Sequence, residues 1–123
     1  MNGRVTTHVL DLSKGGPAAG IALQLWKLDP AGRKQQLREA VTNSDGRLDG
    51  PLLEGAALEA GCYELLFLAG AYFRSSSPAG SEGEPGGFFL EEIPIRFNIG
   101  DPSAHYHVPL LVAPGGYSTY RGS

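Results

Sequence analysis

The sequence predicts an all-β sandwich. Apolar or alternating segments of strand length recur about seven times along the 123 residues, and clusters of Gly, Pro and Asp separate them. Only one short segment favours a helix. Many short strands with turn signals between them are typical of sandwiches. The length is that of one domain, which we predict to span residues 1–123 around a single core.

The first half of the chain supplies four of the predicted strands. RVTTHVLDL (4–12) is rich in β-branched residues, and IALQLWKL (21–28) alternates apolar and polar side chains. KQQLREAVTNS (34–44) suits a short helix or a strand, but the SDGR that follows is a strong hairpin-turn signal, so a strand is favoured. CYELLFLA (62–69) is apolar almost throughout, which predicts a strand buried on both faces.

The second half supplies the remaining strands and the helix. Strands are predicted over EEIPIRFNI (91–99), HYHVPLLVA (105–113) and GGYSTYRG (115–122). GAYFRSS (70–76) predicts one short helix. Residues 75–87, SSSPAGSEGEPGG, predict a flexible loop, because Gly, Ser, Pro and Glu dominate the segment.

Composition argues against several classes of protein. The net charge is −3, which disfavours nucleic acid and anionic membranes as partners. No run approaches the roughly 20 apolar residues of a membrane span. The N-terminal residues lack the apolar core of a secretory signal and the C-terminal RGS is not a peroxisomal address, so we expect a cytoplasmic protein. Cys62, the single cysteine, lies in an apolar run and is predicted to be a buried, inert thiol.

The three histidines are the first candidates for chemistry. His105 and His107 share one face of their strand because side chains alternate, and His8 shares a face with Thr6 on the first strand. The His-x-His pair could ligate zinc with His8 as a third ligand, but no acidic residue or cysteine has an obvious claim on a fourth position. We therefore predict no metal. Partly exposed strand residues without a role, and acid–base groups that titrate near neutral pH, both stay open as interpretations.

The last residues, YSTYRGS (117–123), are unusual for a chain end, since terminal residues are commonly poorly ordered and tolerant of change. Arg121 within them, and Arg47 directly after the SDG turn, would each ordinarily be a solvated charge. Two tyrosines beside Arg121 instead suggest that the end of the chain is a strand with a function.

Four of these segments together resemble the 5-hydroxyisourate hydrolases, the transthyretin-related enzymes of urate breakdown. They are THVLD (7–11), DGR (45–47), HYHVPLL (105–111) and the terminal YSTYRGS. The resemblance runs from about Arg4 to Ser123. The ending YRGS, placed shortly after HYHVPLL, is its specific part, and transthyretin itself is similar in fold but lacks this ending.

The resemblance implies a transthyretin-like β-sandwich of two four-stranded sheets, with one short helix after the fifth strand. It also implies a homotetramer whose active sites lie in a channel between dimers. The segment between AYF and FFLEEIPI is longer and richer in Gly and Ser than is usual in the family, but it carries none of the site motifs.

The resemblance further implies hydrolysis of the N1–C6 ring amide of 5-hydroxyisourate, giving 2-oxo-4-hydroxy-4-carboxy-5-ureidoimidazoline. No cofactor is implied, because this purine-derived substrate is already activated. The family's catalytic residues carry over to His8, Arg47, His107 and Ser123. Its substrate contacts carry over to His8, Arg47, Tyr120, Arg121 and Gly122. His105 and Ser118 are further candidates with open roles.

Such a reaction needs a base for water, donors for the developing oxyanion and planar groups that hold the heterocycle. Histidine suits the first need, and the fork of Arg47 suits the other two. Which histidine is the base stays open. A transthyretin-like carrier that binds a small aromatic ligand without chemistry is the alternative function, and a purely structural module is a third.

Overall fold

The computed structural model describes residues 3–76 and 88–122. In chain order the elements are β1 (Arg4–Asp11), β2 (Gly16–Pro17), β3 (Ala22–Leu28), β4 (Lys34–Val41), β5 (Leu53–Glu54), a 3-10 turn (Gly55–Ala57), β6 (Gly61–Phe67), α1 (Ala69–Ser76), β7 (Ile93–Ile99), β8 (His105–Ala113) and β9 (Gly116–Thr119). The predicted all-β class with one short helix is confirmed. The helix follows the sixth strand in chain order and not the fifth; two of the six strands before it, β2 and β5, have only two residues each.

The strands form two sheets, of which one has the expected four strands, in the order β4-β3-β6-β7. The other has five rather than four, in the order β2-β1-β8-β9 with β5 also paired to β1. The extra strand arises because β2 and β5 pair with opposite ends of β1, at Leu10–Asp11 and at Arg4–Val5. Two short segments thus share the edge that one longer strand would otherwise occupy.

The core lies between the sheets, and on β1 it is built by alternation of side chains. On β1, Val5 and Val9 are fully buried while Thr6 and His8 on the opposite face are partly exposed. The other large, fully buried side chains include Ile21, Leu23, Leu25, Tyr63, Leu65, Phe67, Ile93, Ile99 and Leu110. A one-residue slip of β1 would exchange its apolar and polar faces, so this pattern fixes the register of the strand.

The outer face of β6 differs from the prediction of burial on both faces. Glu64 is buried there and forms ion pairs with Lys34 of β4 (2.9 Å), one strand beyond the neighbouring β3, and with Arg96 of the adjacent strand β7 (3.1 Å). Cys62 is free and only partly buried, so the prediction of a buried thiol is wrong. The charged residues on β4 and β7 allow a carboxylate to be buried on this face, and the sequence of β6 alone does not reveal them.

The SDGR turn forms as predicted but does not begin a hairpin. Gly46 N–H donates to the carbonyl of Asn43 (2.9 Å), and Asn43 N–H donates to the carbonyl of Arg47 (2.8 Å). The chain then runs to β5, which pairs with β1 and not with β4. Gly46 has φ +74°, and a Cβ there would lie 2.3 Å from the carbonyl oxygen of Val9, so the turn packs directly on β1 and requires glycine.

The helix α1 was predicted over 70–76 and is present. It includes Ser75 and Ser76, so it extends two residues into the segment predicted as a loop, and the rest of that segment, 77–87, lies outside the described residues. Among the helices in the described part of the chain, none is long and apolar enough to cross a membrane. The cytoplasmic location stays a prediction.

A buried carboxylate joins α1 to the end of β1. Asp11 is 3% exposed; its carboxylate accepts hydrogen bonds from the Tyr72 hydroxyl (2.7 Å) and from the backbone N–H of Ser13 (2.9 Å). Burial alone raises the pKa of Asp11, but hydrogen bonds from Ser13 and Tyr72 more than offset it, so the pKa lies below its usual value. Burial and the same carboxylate raise the pKa of Tyr72.

This contact leads to a stability prediction. Tyr72→Phe should lower the free energy of unfolding at pH 7 by about 1–3 kcal/mol, because a buried carboxylate loses an O–H donor. Since the folded-state pKa of Asp11 is lowered, its stabilisation is present above the unfolded value of about 3.9 and is lost as pH falls through the folded value. The deficit of the variant should therefore shrink in acid.

The measurement is urea unfolding followed by Trp26 fluorescence at pH 7 and pH 3, at one fixed protein concentration. Arg33→Lys is the control, because Arg33 is exposed on the turn between β3 and β4 and such surface changes are usually within about 0.5 kcal/mol of neutral. Equal stability of Tyr72→Phe and wild type at pH 7 would show that the hydrogen bond contributes nothing.

Candidate active site

The outer face of the β1–β8 pair carries the candidate site. These two strands run parallel, with Arg4 opposite His105, Thr6 opposite His107 and His8 opposite Pro109. Because the apolar side chains of both strands point into the core, their polar side chains share the opposite face. A cavity of about 360 Å³ opens on this face, the size of a small-ligand site, and its lining includes Arg4, Thr6, Arg47, Leu48, His105 and His107.

The hydroxyl of Thr6 lies between the two histidine rings of β8. Its Oγ1 is 2.8 Å from Nε2 of His105 and 2.8 Å from Nδ1 of His107. The ring centroids are 6.2 Å apart. The predicted sharing of a strand face by His105 and His107 is therefore confirmed, and each ring is held by one of its nitrogens.

Both rings are kept neutral by their surroundings. The pKa of His107 is lowered by burial first, and then by electrostatic interaction with His105, Arg47 and His8. The pKa of His105 is also lowered, by burial first and then by the positive charges of Arg4 and Arg121. A neutral imidazole has a free lone pair, so at physiological pH these rings can accept a proton or a hydrogen bond.

The turn after β4 brings Arg47 to the cavity and fixes one nitrogen of His8. Val9 N–H donates to the carbonyl of Gly46 (2.8 Å), which holds the turn against β1. Nε2 of His8 is 3.0 Å from the carbonyl oxygen of Asp45. Because a carbonyl can only accept, Nε2 carries a hydrogen and, in the neutral ring, Nδ1 is left as the acceptor.

The end of the chain returns to His107 after β9. Gly122 N–H donates to the carbonyl of His107 (2.8 Å), as an isolated bridge between the two residues. A Cβ on Gly122 would lie 2.5 Å from Cδ2 of the His107 ring. Only glycine allows this close approach, which places the last described residue against the edge of the ring next to Nε2.

Tyr120 and Arg121 lie elsewhere in the single chain. They contribute to a second cavity of about 290 Å³, which is also lined by Phe97, Asn98 and Tyr106. The Arg121 guanidinium stacks 4.3 Å from the centre of the Tyr106 ring and donates to the carbonyl of His105 (3.2 Å). Tyr120 is 61% exposed.

The carried-over positions therefore fall into groups. Arg47, His105 and His107 line the cavity of about 360 Å³ on the outer face of β1 and β8. Gly122 packs against the ring of His107, and His8 is close enough to affect the pKa of His107. Ser118 is exposed on β9, opposite Leu111 in register. Ser123 lies outside the described residues.

Among the cavity residues to which the sequence assigned no role, Arg4 and Thr6 are the two that interact with the histidine pair. Arg4 lies opposite His105, and Thr6 contacts both rings. The period of two along β1 places residues 4, 6 and 8 on one face, and this signal could have drawn attention to Arg4. Nothing in the sequence of β1 indicates which residues of β8 it faces.

The arrangement differs from a metal centre. Within residues 3–76 and 88–122, no group of three or more His, Cys, Asp or Glu side chains is placed to hold a metal ion. The nitrogens of His105 and His107 that face each other are joined through the Thr6 hydroxyl. Such a site can accept protons and hydrogen-bond a polar ring.

Sequence comparison places this geometry in a known family. The profile of the HIUase/transthyretin family matches residues 5–122. The 5-hydroxyisourate hydrolase of Halalkalibacterium halodurans is 54% identical over 123 residues, which is 100% of both chains. 5-Hydroxyisourate hydrolase 2 of Rhizobium meliloti is 55% identical, covering 99% of this chain and 98% of its own.

Solved structures agree with the sequence comparison. (S)-allantoin synthase superposes with a TM-score of 0.87 at 46% identity over 99% of this chain, which spans 44% of that longer chain. The 5-hydroxyisourate hydrolase of Klebsiella pneumoniae gives 0.79 at 36% identity, covering 98% and 99% of the two chains. Transthyretin from Sparus aurata gives 0.82 at 26% identity, covering 97% and 96%. Because the family profile spans nearly the whole chain and full-length relatives share half of its residues, the chain belongs to the HIUase/transthyretin family.

Proposed function

We propose that this protein hydrolyses 5-hydroxyisourate to 2-oxo-4-hydroxy-4-carboxy-5-ureidoimidazoline. The observation that carries the proposal is a neutral, partly buried His107 beside Arg47 in a cavity of heterocycle size. Full-length relatives that are named 5-hydroxyisourate hydrolases support it.

The reaction is the hydrolysis of the N1–C6 amide bond. The water oxygen bonds to C6 and the N1–C6 bond breaks. One proton of the water passes to a base and then to the departing nitrogen, so the enzyme ends in its starting state. The chemistry needs no oxidant, reductant or cofactor.

His107 is the best placed base. Its Nδ1 is held by Thr6, and no described residue hydrogen-bonds its Nε2. Burial and nearby positive charge keep the ring neutral, so Nε2 has a lone pair for a proton of water. His8 is a second proton acceptor near the same ring and helps to orient the water.

Arg47 supplies the fixed positive charge. Its guanidinium can bind a carbonyl of the substrate through two N–H groups and stabilise the oxyanion that develops at C6. The backbone around it is rigid, because Asn43 Oδ1 accepts from the N–H groups of Asp45 (2.9 Å) and Arg47 (3.2 Å). A donor held in place before the reaction does not have to reorganise during it.

We propose a homotetramer in which a second copy closes the cavity. In the single chain the cavity is open to solvent. Three large side chains are also exposed: Tyr117 on β9, Tyr120 just after β9 and Leu12 just after β1. A neighbouring subunit that covers this face would exclude water and bury these side chains. Tyr120, Arg121 and Ser123 would then complete the pocket as wall and hydrogen-bond donors.

The decisive experiment is a spectroscopic assay of freshly generated 5-hydroxyisourate with and without the protein. Acceleration of its decay supports the hydrolase. The likeness to transthyretin favours a carrier as the second candidate, which would show saturable binding of the purine without turnover.

Replacement of the proposed base, His107, should strongly lower the rate of turnover. His107→Asn should lower kcat by at least about 100-fold, the usual contribution of a general base, because the amide cannot take the proton. Arg47→Lys should also be harmful since lysine keeps the charge but loses the planar fork. Arg33→Lys, on the turn between β3 and β4, is the matched control and should retain wild-type turnover. Near-normal kcat for His107→Asn would exclude this residue as the base.

The pH dependence should follow the neutral form of His107. Because burial, His105 and Arg47 lower its pKa, kcat/KM should fall in acid with a midpoint below about 6.5, the ordinary histidine value. In NMR titrations Arg47→Gln should raise the pKa of His107, because a positive neighbour is lost, whereas Arg33→Gln should not. A kcat/KM that stays constant across the pH range in which the NMR titration shows His107 taking up its proton would contradict a histidine base.

The chain end and the assembly can be tested together. Light scattering of the full chain should give the mass of a tetramer. Deletion of 120–123 should abolish turnover while circular dichroism shows a retained fold, and a bulky tag should inhibit at the C-terminus but not before Met1. Full activity in the truncated chain, or in a monomer, would refute the proposed role of the tail or of the assembly.

A further inference from the structure

The contact of Thr6 with two histidines has a consequence for where their protons lie. A threonine hydroxyl has one hydrogen to donate and lone pairs to accept. Its oxygen is 2.8 Å from Nε2 of His105 and 2.8 Å from Nδ1 of His107. Within the described residues, the two ring nitrogens are the only hydrogen-bond partners of this hydroxyl. With both rings neutral, the hydroxyl therefore donates to one nitrogen, and the other nitrogen carries a hydrogen and donates to the hydroxyl.

Two arrangements satisfy both contacts and also use the hydroxyl hydrogen; if both ring nitrogens donated to the oxygen, that hydrogen would have no described acceptor. In the first, Nδ1–H of His107 donates to Thr6 and Thr6 donates to Nε2 of His105, which leaves Nε2 of His107 as a bare acceptor. In the second, Thr6 donates to Nδ1 of His107, so the hydrogen of that ring lies on Nε2. A proton of water can be accepted at Nε2 only in the first arrangement.

We propose that Thr6 is a positioning residue that couples the tautomers of His105 and His107 and holds Nε2 of His107 free to act as the base. This proposal rests on the proposed hydrolase function. When Nε2 takes the proton of the attacking water, Nδ1–H still donates to Thr6, so the imidazolium keeps its hydrogen bond. The same proton then passes from Nε2 to the departing nitrogen, and the protons of Thr6 and His105 stay in place.

Among the described residues around the two rings, the Thr6 hydroxyl is the group that selects the tautomers of His105 and His107. The charged or titratable side chains on the elements around the two rings include Arg4 and His8 on β1, Glu54 on β5, Asp45, Arg47 and Asp49 after β4, and Arg121 after β9. No described carboxylate or carbonyl hydrogen-bonds either ring of the pair, so the fixed partner of both is the Thr6 hydroxyl.

The first measurement needs no substrate. Nitrogen-15 NMR of the histidine rings near pH 7.5 reports which nitrogen carries the hydrogen. The wild type should show His107 with hydrogen on Nδ1 and His105 also with hydrogen on Nδ1, since its Nε2 accepts from Thr6. Hydrogen on Nε2 of His107 or on Nε2 of His105 in the wild type overturns the proposal.

The variants then test the hydroxyl itself. Thr6→Val keeps the branched shape that suits a strand, and Thr6→Ser keeps the hydroxyl. Thr6→Val should shift His107 towards the Nε2–H form and lower kcat by about 10- to 100-fold with little change in KM, as expected when a catalytic imidazole loses the group that fixes its tautomer. Thr6→Ser should restore both the tautomer of His107 and kcat.

Thr119→Val is the matched control, because the Thr119 hydroxyl donates to the carbonyl of Pro109 (2.7 Å) and touches neither ring. It should leave the ring tautomers unchanged. Unaltered tautomers in Thr6→Val, or a Thr6→Ser variant as impaired as Thr6→Val, would overturn the proposal. Absence of turnover in the wild type would instead refute the hydrolase function, and the NMR result would still decide the coupling of the tautomers.

Discussion

The parallel pairing of β1 with β8 is the constraint on which the rest of the molecule depends. It joins the first described strand to the next-to-last one over eight consecutive register positions. The inward side chains of both strands, such as Val9 and Leu110, belong to the core. The buried Thr7 hydroxyl donates to the carbonyl of Val108 (2.7 Å) and ties the strands further. On the opposite face the same pairing brings Thr6 between the two histidines, so the core and the site are set by one register.

The charge distribution around the cavity favours neutral imidazoles at a cost in stability. Arg4, Arg47 and Arg121 surround the rings and, together with burial, lower the pKa of the histidine that each approaches. Like charges at short range destabilise a fold, yet here they keep proton acceptors unprotonated near neutral pH. On the other side of the sheet, the surroundings favour a charged group instead. There, hydrogen-bond donors such as the Tyr72 hydroxyl stabilise the buried negative charge of Asp11.

Segments with strong patterns were predicted well, and segments whose structure depends on a distant partner were not. The long strands β1, β3 and β8 show the alternation or β-branching of their class, and their existence was read correctly. The two-residue strands β2 and β5 carry no pattern of their own, since both exist only because β1 has an open edge. The turn at Gly46 was recognised by its glycine, but the hairpin expected after it was wrong, because its contact with Val9 directs the chain to β1.

The sequence by itself determined the class of fold, the family resemblance and the residue types of the site, because these follow from local pattern and from motifs within a few residues. It placed His105 and His107 on one face by period alone. Only the tertiary structure decided that Thr6 lies between them, that Arg47 reaches their cavity, and that Tyr120 and Arg121 line a different one in the single chain. Thr6 and His107 are 101 positions apart, and no strand pattern encodes the register across which they meet.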